Sequence, residues 1–313
     1  MSARRAEGER FADFLLLRGL GRGGMAEVFE AVRAPDAGPS LPGVPERFAL
    51  KRMLPELQGD PEARAAFLTE ADVAPMLRHP NLVRVYASGV HERCGWLLME
   101  LVEGWDLEAL LEERPGYPWP PRLATYVLLQ VLEGLEYLHG ATGHSGTPLG
   151  LIHRDVTPSN VFVDREGRVK LADLGIALVS GLGEGVPDGR VKGKLRYLSP
   201  EQVVAGELGP TTDVFAAGAV LYELLAGRHA FDQVGDQEVM LAIRDGKVPK
   251  LTRVAPDLPG SIAEVVHRAL HRNARKRYAT AAAFRDALAA VCYAEDWDLM
   301  QDEAGELFEE WMG

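Results

Sequence analysis

The stretch LIHRDVTPSNVFVDREGRVKLADLG at residues 151–175 decides the fold of this chain. It contains the tripeptide HRD at 153–155, then Asn160 five residues after Asp155, then the tripeptide DLG at 173–175. Carboxylate and amide side chains are therefore concentrated in one short segment, separated by apolar runs. This pattern indicates a polar site, and the segments on either side indicate its kind.

Upstream, the segment GRGGMAEV at 21–28 is a Gly-rich turn between two apolar runs that read as strands. Glycines here let backbone N–H groups approach phosphate oxygens without a Cβ in the way. A tight hairpin is the alternative interpretation. A dinucleotide fold is disfavoured, because its Gly-rich fingerprint opens a helix rather than a second strand. Lys51 in the next strand and Glu70 in the next helix could form a pair that clamps phosphates.

Downstream, the tripeptide SPE at 199–201 precedes Asp213, which starts a helix that is apolar nearly all round. A carboxylate in that position would be costly to bury without partners.

Taken in this order, the motifs resemble the eukaryotic-like (Hanks-type) protein kinase family, and the Gly-Gly-Met turn resembles its bacterial serine/threonine members. The resemblance covers roughly residues 14–290. It implies an α+β, two-lobed protein kinase fold, with a small antiparallel β-sheet N-lobe carrying one helix and a larger, mainly helical C-lobe. The implied divisions are an N-terminal extension (1–13), the N-lobe (14–102), the C-lobe (103–291) and an acidic amphipathic tail (292–313).

The resemblance also implies catalytic roles. Asp155 would accept or orient the proton of the attacking hydroxyl. Asn160 and Asp173 would hold Mg²⁺ (or Mn²⁺) through hard oxygen ligands. Lys51, paired with Glu70, would position the phosphates of ATP. The resemblance also implies that Glu201 pairs with Arg277 of the basic run RKR at 275–277, in which Arg275 and Lys276 fit a solvated patch.

Further positions are implied to bind the nucleotide. Leu20 and Val28 would sandwich adenine, while backbone groups of Glu100 and Val102 would read its edge. Asp106 would contact the ribose, and Met99 would be the gatekeeper. The nucleotide-binding set is thus Leu20, Gly21, Gly23, Gly24, Val28, Lys51, Glu100, Val102 and Asp106.

Two departures from the family pattern lie in the N-lobe. Ala26 replaces the third glycine of the loop, a mild change. Pro75 lies inside the helical pattern that runs from Pro61 to Leu77, where an interior proline costs about 3 kcal/mol. We expect a kink or early unwinding past Glu70.

A third departure concerns the catalytic lysine. Two positions after Asp155, serine/threonine members carry Lys, whereas this chain has Thr157. The family's Thr before the SPE segment is here Lys194. Since these positions are neighbours in the family fold, we hypothesise an exchange that brings the Lys194 ammonium into the site from the opposite wall. The alternative is a surface Lys194 and a slow or dead enzyme.

The activation segment is the fourth departure. Between Leu174 and Lys192 the only hydroxyl residue is Ser180. Arg154 still needs an anion, which Glu184 or Asp188 could supply permanently. We therefore hypothesise independence from loop phosphorylation.

Apolar spacing predicts the remaining elements. They are strands at Phe14–Leu17, Val28–Val32, Phe48–Lys51, Val83–Tyr86 and Trp96–Val102, and helices at Leu123–His139, Thr212–Ala226, Asp236–Asp245, Gly260–Leu270 and Thr280–Tyr293.

Composition excludes several classes of function. With 34 Lys and Arg against 46 Asp and Glu, the formal charge is −12, which argues against general nucleic-acid or anionic-membrane binding. The opening residues lack the apolar stretch of a signal peptide, and no run of about 18 apolar residues predicts a membrane span. Cys94 and Cys292 are expected to be reduced thiols. We expect a cytoplasmic protein.

The tail from Trp297 to Trp311 has an apolar stripe of Met300, Ala304, Leu307, Phe308 and Trp311 opposite its carboxylates. It predicts an amphipathic helix that packs on the C-lobe, with docking of a protein partner as the alternative and membrane insertion disfavoured by its acidity.

The sequence therefore favours a protein kinase that uses ATP to phosphorylate serine or threonine of protein substrates. An ATP-binding pseudokinase scaffold is one alternative, although a scaffold needs no metal ligands. A small-molecule kinase is disfavoured by the SPE segment and Asp213. A tyrosine kinase stays open because of Thr157.

Overall fold

The computed structural model describes residues 8–38, 41–143, 145–174 and 194–312. They divide into two compact units. The first comprises described residues within 8–78 and 83–101, and the second those within 79–82, 102–174 and 194–312. In this described part of the chain, no helix is long and apolar enough to cross a membrane.

The first unit, as far as it is described, is built on an antiparallel sheet with the strand order β1-β2-β3-β4-β6-β5. Phe14 lies edge-on to both Phe48 and Trp96 in its core, and burial of each such ring contributes about 1.5–3 kcal/mol. The strands are β1 (Glu9–Phe11), β2 (Phe14–Arg22), β3 (Ala26–Arg33), β4 (Arg47–Met53), β5 (Val85–His91) and β6 (Cys94–Met99).

Helix α1 (Pro61–Val73) carries Glu70. Its N-cap is Asp60, whose carboxylate accepts the N–H groups of residues 62 and 63. After Val73 the chain tightens into a 3₁₀ turn at Ala74–Met76, because Pro75 has no N–H to continue the α-helical ladder. The expected unwinding past Glu70 is confirmed, and the predicted helical end at Leu77 is wrong.

The second unit is mainly helical. Its core is α5, in which all residues from Thr212 to Ala226 are buried, so the all-apolar pattern reflects a central position. The helices are α2 (Leu107–Glu113), α3 (Pro121–His139), α4 (Pro200–Val203), α5 (Pro210–Ala226), α6 (Asp236–Asp245), α7 (Leu251–Val254), α8 (Gly260–Ala269), α9 (Ala281–Ala294) and α10 (Gln301–Met312).

A small antiparallel sheet in the second unit has the order β7-β8-β9. Its strands are β7 (Gly104–Asp106), β8 (Val161–Asp164) and β9 (Val169–Leu171). Asn160 immediately precedes β8, and Asp173 follows β9 after Ala172. The hairpin β8–β9 therefore carries both predicted metal ligands.

Several strand predictions need correction. The strand predicted at Val83–Tyr86 is Val85–His91, and the one predicted at Trp96–Val102 is Cys94–Met99. The second ends early because the sheet ladder stops at Met99, after which the Glu100 N–H donates to the Arg84 carbonyl. Strand β1 was not predicted, and it extends the sheet at its edge by pairing with β2.

The tail forms α10 and packs on the second unit, as its apolar stripe predicts. Phe308 is fully buried, and its ring lies 5.9 Å from that of Trp119. Met300, predicted on the same stripe, is instead 62% exposed, because it precedes the first helical residue, Gln301.

Candidate active site

The predicted phosphate-positioning pair is formed in the first unit. Lys51 on β4 donates from Nζ to Glu70 Oε1 on α1, 2.8 Å away. The two side chains are only 10% and 6% exposed, so their attraction is less screened than at the surface. Glu70 therefore holds the Lys51 ammonium in a fixed position on the strand.

Strands β2 and β3 extend into the Gly-rich turn, which is a tight hairpin. Gly23 N–H donates to the Ala26 carbonyl at 2.8 Å. At Gly21 no heavy atom lies within 4 Å of an ideal Cβ position, so open space adjoins the backbone. Val28 is directly opposite Lys51 in the β3–β4 register. The turn and the lysine are thus carried by neighbouring strands.

The predicted adenine contacts differ in their surroundings. Leu20 is 39% exposed, whereas Met99 is buried at the end of β6. The Glu100 N–H already donates to the Arg84 carbonyl at 2.8 Å. The backbone contact predicted between Glu100 and adenine would therefore use the Glu100 carbonyl. Val102 is half-buried in the second unit.

Asp106, the predicted ribose contact, also caps a helix. It is the N-cap of α2, and its Oδ1 accepts the Ala109 N–H at 2.8 Å. Burial raises the pKa of the Asp106 carboxyl, an effect opposed by the backbone N–H groups of Ala109 and Glu108. Because Asp106 is the N-cap, its carboxylate lies at the positive end of α2.

The catalytic loop is held by a buried carboxylate. Asp213 is fully buried at the start of α5, and it accepts the backbone N–H groups of His153 at 2.8 Å and Arg154 at 2.7 Å. His139 Nε2 lies 2.7 Å from the same carboxylate. These partners remove the desolvation cost anticipated from the sequence, and they stabilise Arg154 at the unusual φ of 68°.

Asp155 lies at the centre of a hydrogen-bonded cluster. Asn160 Nδ2 donates to the Asp155 carbonyl at 2.8 Å and to its Oδ2 at 2.7 Å. Lys194 Nζ donates to the same Oδ2 at 2.6 Å. The carboxylate is therefore oriented by an amide and an ammonium from two separate segments, and Lys194 is not a detached surface residue.

Thr157, the position that carries lysine in serine/threonine members, is buried. Its hydroxyl lies 3.1 Å from that of Ser159. A short neutral side chain thus occupies this position, while the positive charge at Asp155 comes from the other segment.

His153 links the catalytic loop to the strand that leads to Asp173. It is fully buried, and its Nε2 is 3.0 Å from the Ala172 carbonyl. Burial lowers the pKa of His153, against the raising influence of the Asp213 charge. The imidazole is therefore a neutral structural bridge.

The residues at the predicted metal site suit magnesium. The Ala172 N–H donates to the Asn160 carbonyl at 2.8 Å, which holds the backbone before Asp173 against Asn160. Asp173 has a φ of 56°, a strained conformation of the sort found at ligand sites. In the described residues no three His, Cys, Asp or Glu side chains form a metal cluster. Magnesium needs none, because one or two protein ligands plus phosphate oxygens and water suffice.

The SPE segment is fixed by the ion pair predicted from the sequence. Arg277 donates from Nη1 and Nη2 to the two oxygens of Glu201, at 2.7 and 2.8 Å. Burial disfavours the Glu201 carboxylate, but hydrogen bonds and charge from Arg277 outweigh it, so the pKa of Glu201 is lowered. The next residue, Gln202, donates to the Arg154 carbonyl at 2.9 Å, which ties the segment to the catalytic loop.

Sequence reasoning missed the anchors of Lys194. The 3₁₀ turn Lys194–Tyr197 is held by Arg196, which donates to the carbonyls of Phe231 and Gln233. The Tyr197 hydroxyl donates to Glu223, near the end of α5. The position of Lys194 before the SPE motif predicted that it lies in the site, but no sequence pattern indicated these anchors.

The two units therefore hold different parts of the predicted set. The first holds Leu20, Gly21, Gly23, Gly24, Val28, Lys51, Glu70 and Glu100, and the second holds Val102, Asp106, Asp155, Asn160, Asp173 and Lys194. The predictions for Ser180, Glu184 and Asp188 fall outside the described residues.

Residues 14–288 match the family model described as the protein kinase domain. The chain is 34% identical over 280 residues to a protein named tyrosine-protein kinase MasK, from Myxococcus xanthus, a match that covers 89% of this chain and 43% of MasK. It is 38% identical over 245 residues to serine/threonine-protein kinase PknL of Mycobacterium tuberculosis, covering 78% of this chain and 58% of PknL. The chain thus spans less than two thirds of the length of these relatives.

A solved structure of the PknI kinase domain of M. tuberculosis has a similar fold. The TM-score is 0.69 at 28% identity, and the match covers 92% of this chain and 98% of that one.

Proposed function

Because the chain belongs to the protein kinase domain family, we propose that it transfers the γ-phosphoryl group of ATP to serine or threonine hydroxyls of protein substrates. The observation that carries this proposal is the orientation of Asp155 Oδ2 by Asn160 at 2.7 Å and by Lys194 at 2.6 Å. A carboxylate fixed in this way can accept a hydrogen bond from an incoming hydroxyl and align its oxygen for attack.

The remaining groups supply positioning and charge. Lys51, fixed by Glu70, holds the nucleotide phosphates, and Asn160 and Asp173 hold Mg²⁺ or Mn²⁺. A metal ion held by these two residues would supply positive charge against the negative charge that develops during transfer. Since phosphoryl transfer needs little covalent help, such preorganised charges account for most of the catalysis.

Lys194 supplies the charge that serine/threonine relatives carry at the position of Thr157. In this proposal its ammonium lies beside Asp155 and contacts the γ-phosphoryl group during transfer. Two unit charges 4 Å apart interact by up to about 4 kcal/mol at an effective dielectric of 20. The Lys194 side chain is 40% exposed, so screening makes the actual contribution smaller.

We further propose activity without loop phosphorylation. Two guanidinium nitrogens of Arg154, Nε and Nη1, are buried and have no hydrogen-bond partner in the described part of the chain. An acidic side chain from 175–193, Glu184 or Asp188, would complete this site. Ser180→Ala and phosphatase-treated protein should keep full activity, and loss of activity in both would contradict this part of the proposal.

A tyrosine acceptor is the second candidate. One relative that matches 89% of this chain, MasK, is named a tyrosine-protein kinase, and at Thr157 this chain lacks the lysine typical of serine/threonine members. Acid hydrolysis of the labelled product distinguishes the two candidates.

The experiment incubates the protein with γ-labelled ATP, Mg²⁺ or Mn²⁺, and casein or myelin basic protein. Phosphoserine or phosphothreonine in the hydrolysate would support the proposal, whereas phosphotyrosine alone would support the second candidate. Binding of Mg²⁺–ATP with no transfer to any protein would indicate a pseudokinase scaffold. Transfer only to small alcohols such as aminoglycosides would indicate a small-molecule kinase.

A further inference from the structure

Helix α10 (Gln301–Met312) lies beyond residues 14–288, which match the family model. It is nevertheless an integrated part of the second unit, because Ala304, Gly305 and Phe308 are buried. The buried face of α10 contacts other parts of the second unit, and these contacts indicate its role.

One end of α10 contacts the turn between β8 and β9 through two glycines. A Cβ on Gly305 would lie 2.7 Å from the Arg165 carbonyl oxygen, and a Cβ on Gly167 would lie 2.0 Å from that of Gln301. Gly167 also has a φ of 79°. Helix and turn therefore meet backbone to backbone, a contact that only glycine permits at both positions.

The turn itself is held in place by hydrogen bonds to its backbone. Asp164 Oδ1 accepts the N–H groups of Glu166 at 3.1 Å and Arg168 at 2.8 Å. The Tyr126 hydroxyl on α3 donates to the Gly167 carbonyl at 2.8 Å. The turn is thus held between α3 and α10.

The other end of α10 packs next to α2. The ring of Trp311 lies edge-on to that of Trp119 at 5.0 Å, and the Arg114 guanidinium, at the end of α2, lies 5.0 Å from the Trp311 ring. The exposed Arg165–Glu309 pair at 3.0 Å adds little. The packing of α10 on the second unit therefore depends mainly on the contacts of Trp311 and on the contact between Gly305 and the β8–β9 turn.

These two contacts reach the groups of the proposed site. The hairpin that α10 contacts at its turn has Asn160 just before its first strand and Asp173 just after its second. Asp106, the N-cap of α2, pairs with Phe162 in the β7–β8 register. We propose that α10 is a positioning element that sets the separation of the metal ligands Asn160 and Asp173. This inference rests on the proposed function, because it assumes that these two side chains hold the metal.

The test compares Gly305→Val with Glu306→Val in the full chain. Both variants put the same β-branched residue on α10, but Glu306 is exposed, so only Gly305→Val changes the contact with the turn, and Glu306→Val shows what a β-branched residue on this helix does by itself. Since residues that orient metal ligands change metal affinity by 10- to 100-fold, we expect Gly305→Val to raise the Mg²⁺ concentration for half-maximal transfer roughly 10-fold. Glu306→Val should match wild type.

A second readout separates positioning from general damage. Binding of ATP in EDTA, measured by calorimetry, should be the same for wild type and Gly305→Val, because it does not use Asn160 or Asp173. Should Gly305→Val fail to fold, Trp311→Ala at the other end of the helix should show the same direction of change in Mg²⁺ dependence with a smaller shift.

The outcomes are distinguishable. The positioning role would be overturned, and the proposed function left intact, if a folded Gly305→Val had the same Mg²⁺ dependence as wild type. The same conclusion would follow if Gly305→Val lost as much ATP affinity in EDTA as it lost Mg²⁺ affinity. A wild type without transfer at any Mg²⁺ concentration would instead refute the proposed function.

Discussion

Lys194 Nζ donates a hydrogen bond to Asp155 Oδ2 at 2.6 Å, although 39 residues separate the two positions in the chain. Two residues fix the 3₁₀ turn that carries Lys194. Arg196 donates to the chain that follows α5, and Tyr197 donates to α5 itself. A lysine on a fixed turn is a preorganised charge rather than a mobile one.

Replacing that charge should slow transfer. Lys194→Met should lower kcat roughly 10²-fold, the typical loss when one preorganised donor is removed, with a smaller effect on KM for ATP. Lys250→Met, at an exposed lysine of the same unit, is the control and should match wild type. Steady-state kinetics with labelled ATP give both constants, and an undiminished kcat in Lys194→Met would rule out the exchange.

The reciprocal variant tests whether the two positions are interchangeable. Lys194→Thr combined with Thr157→Lys restores the arrangement of the family, and it should recover at least part of the kcat lost in Lys194→Thr alone. Because Thr157 is buried, the measurement should include a melting temperature to confirm folding. A folded double variant as slow as the single variant would show that the charge acts only from the Lys194 position.

The Lys51–Glu70 pair should control nucleotide affinity. Glu70→Gln keeps the size of the side chain but removes the charge that fixes Lys51, so the KM for ATP should rise roughly 10-fold, a change of about 1.4 kcal/mol. Glu62→Gln on the exposed face of α1 is the matched control. Equal ATP affinity in the two variants, measured by calorimetry, would count against a phosphate-positioning role.

The Glu201–Arg277 pair should contribute to stability. Arg277 has no exposed side-chain surface in this pair, so Arg277→Met leaves Glu201 without its counter-charge and should destabilise the fold by roughly 3–5 kcal/mol. Arg275→Met, in the same basic run but exposed, should change stability little. Urea unfolding measures both, and equal midpoints would contradict the account.

The same pair should affect how the free energy of unfolding falls at acid pH. Because the pKa of Glu201 is lowered in the folded state, its contribution is present above the unfolded pKa of about 4.3 and is lost as the pH falls through the lower folded value. Glu201→Gln should therefore flatten the loss of stability below about pH 4.3. Parallel stability curves for wild type and Glu201→Gln across this range would be inconsistent with a lowered pKa.

The long-range pairs were predictable because each follows from a motif with a fixed place in the family fold. The pairs Lys51–Glu70 and Glu201–Arg277 were expected and are present, and Asp213, which was expected to need partners, accepts backbone N–H groups of the catalytic loop. The unwinding at Pro75 was predictable from chemistry alone, since proline has no N–H to donate.

Other features depend on contacts that no local pattern encodes. Strand β1 forms because Phe11 and Glu9 meet Arg52 across the sheet, and three residues give no usable periodicity. Gly167 and Gly305 are unremarkable in the sequence, and their need for glycine appears only when α10 meets the β8–β9 turn.

The most direct test of the whole account measures label transfer from γ-labelled ATP to a protein acceptor by wild type and by Asp155→Asn. The account predicts that Asp155→Asn loses roughly 10²–10⁴-fold in rate while it still binds Mg²⁺–ATP and melts at the temperature of wild type. Label incorporation by Asp155→Asn at the wild-type rate would contradict it.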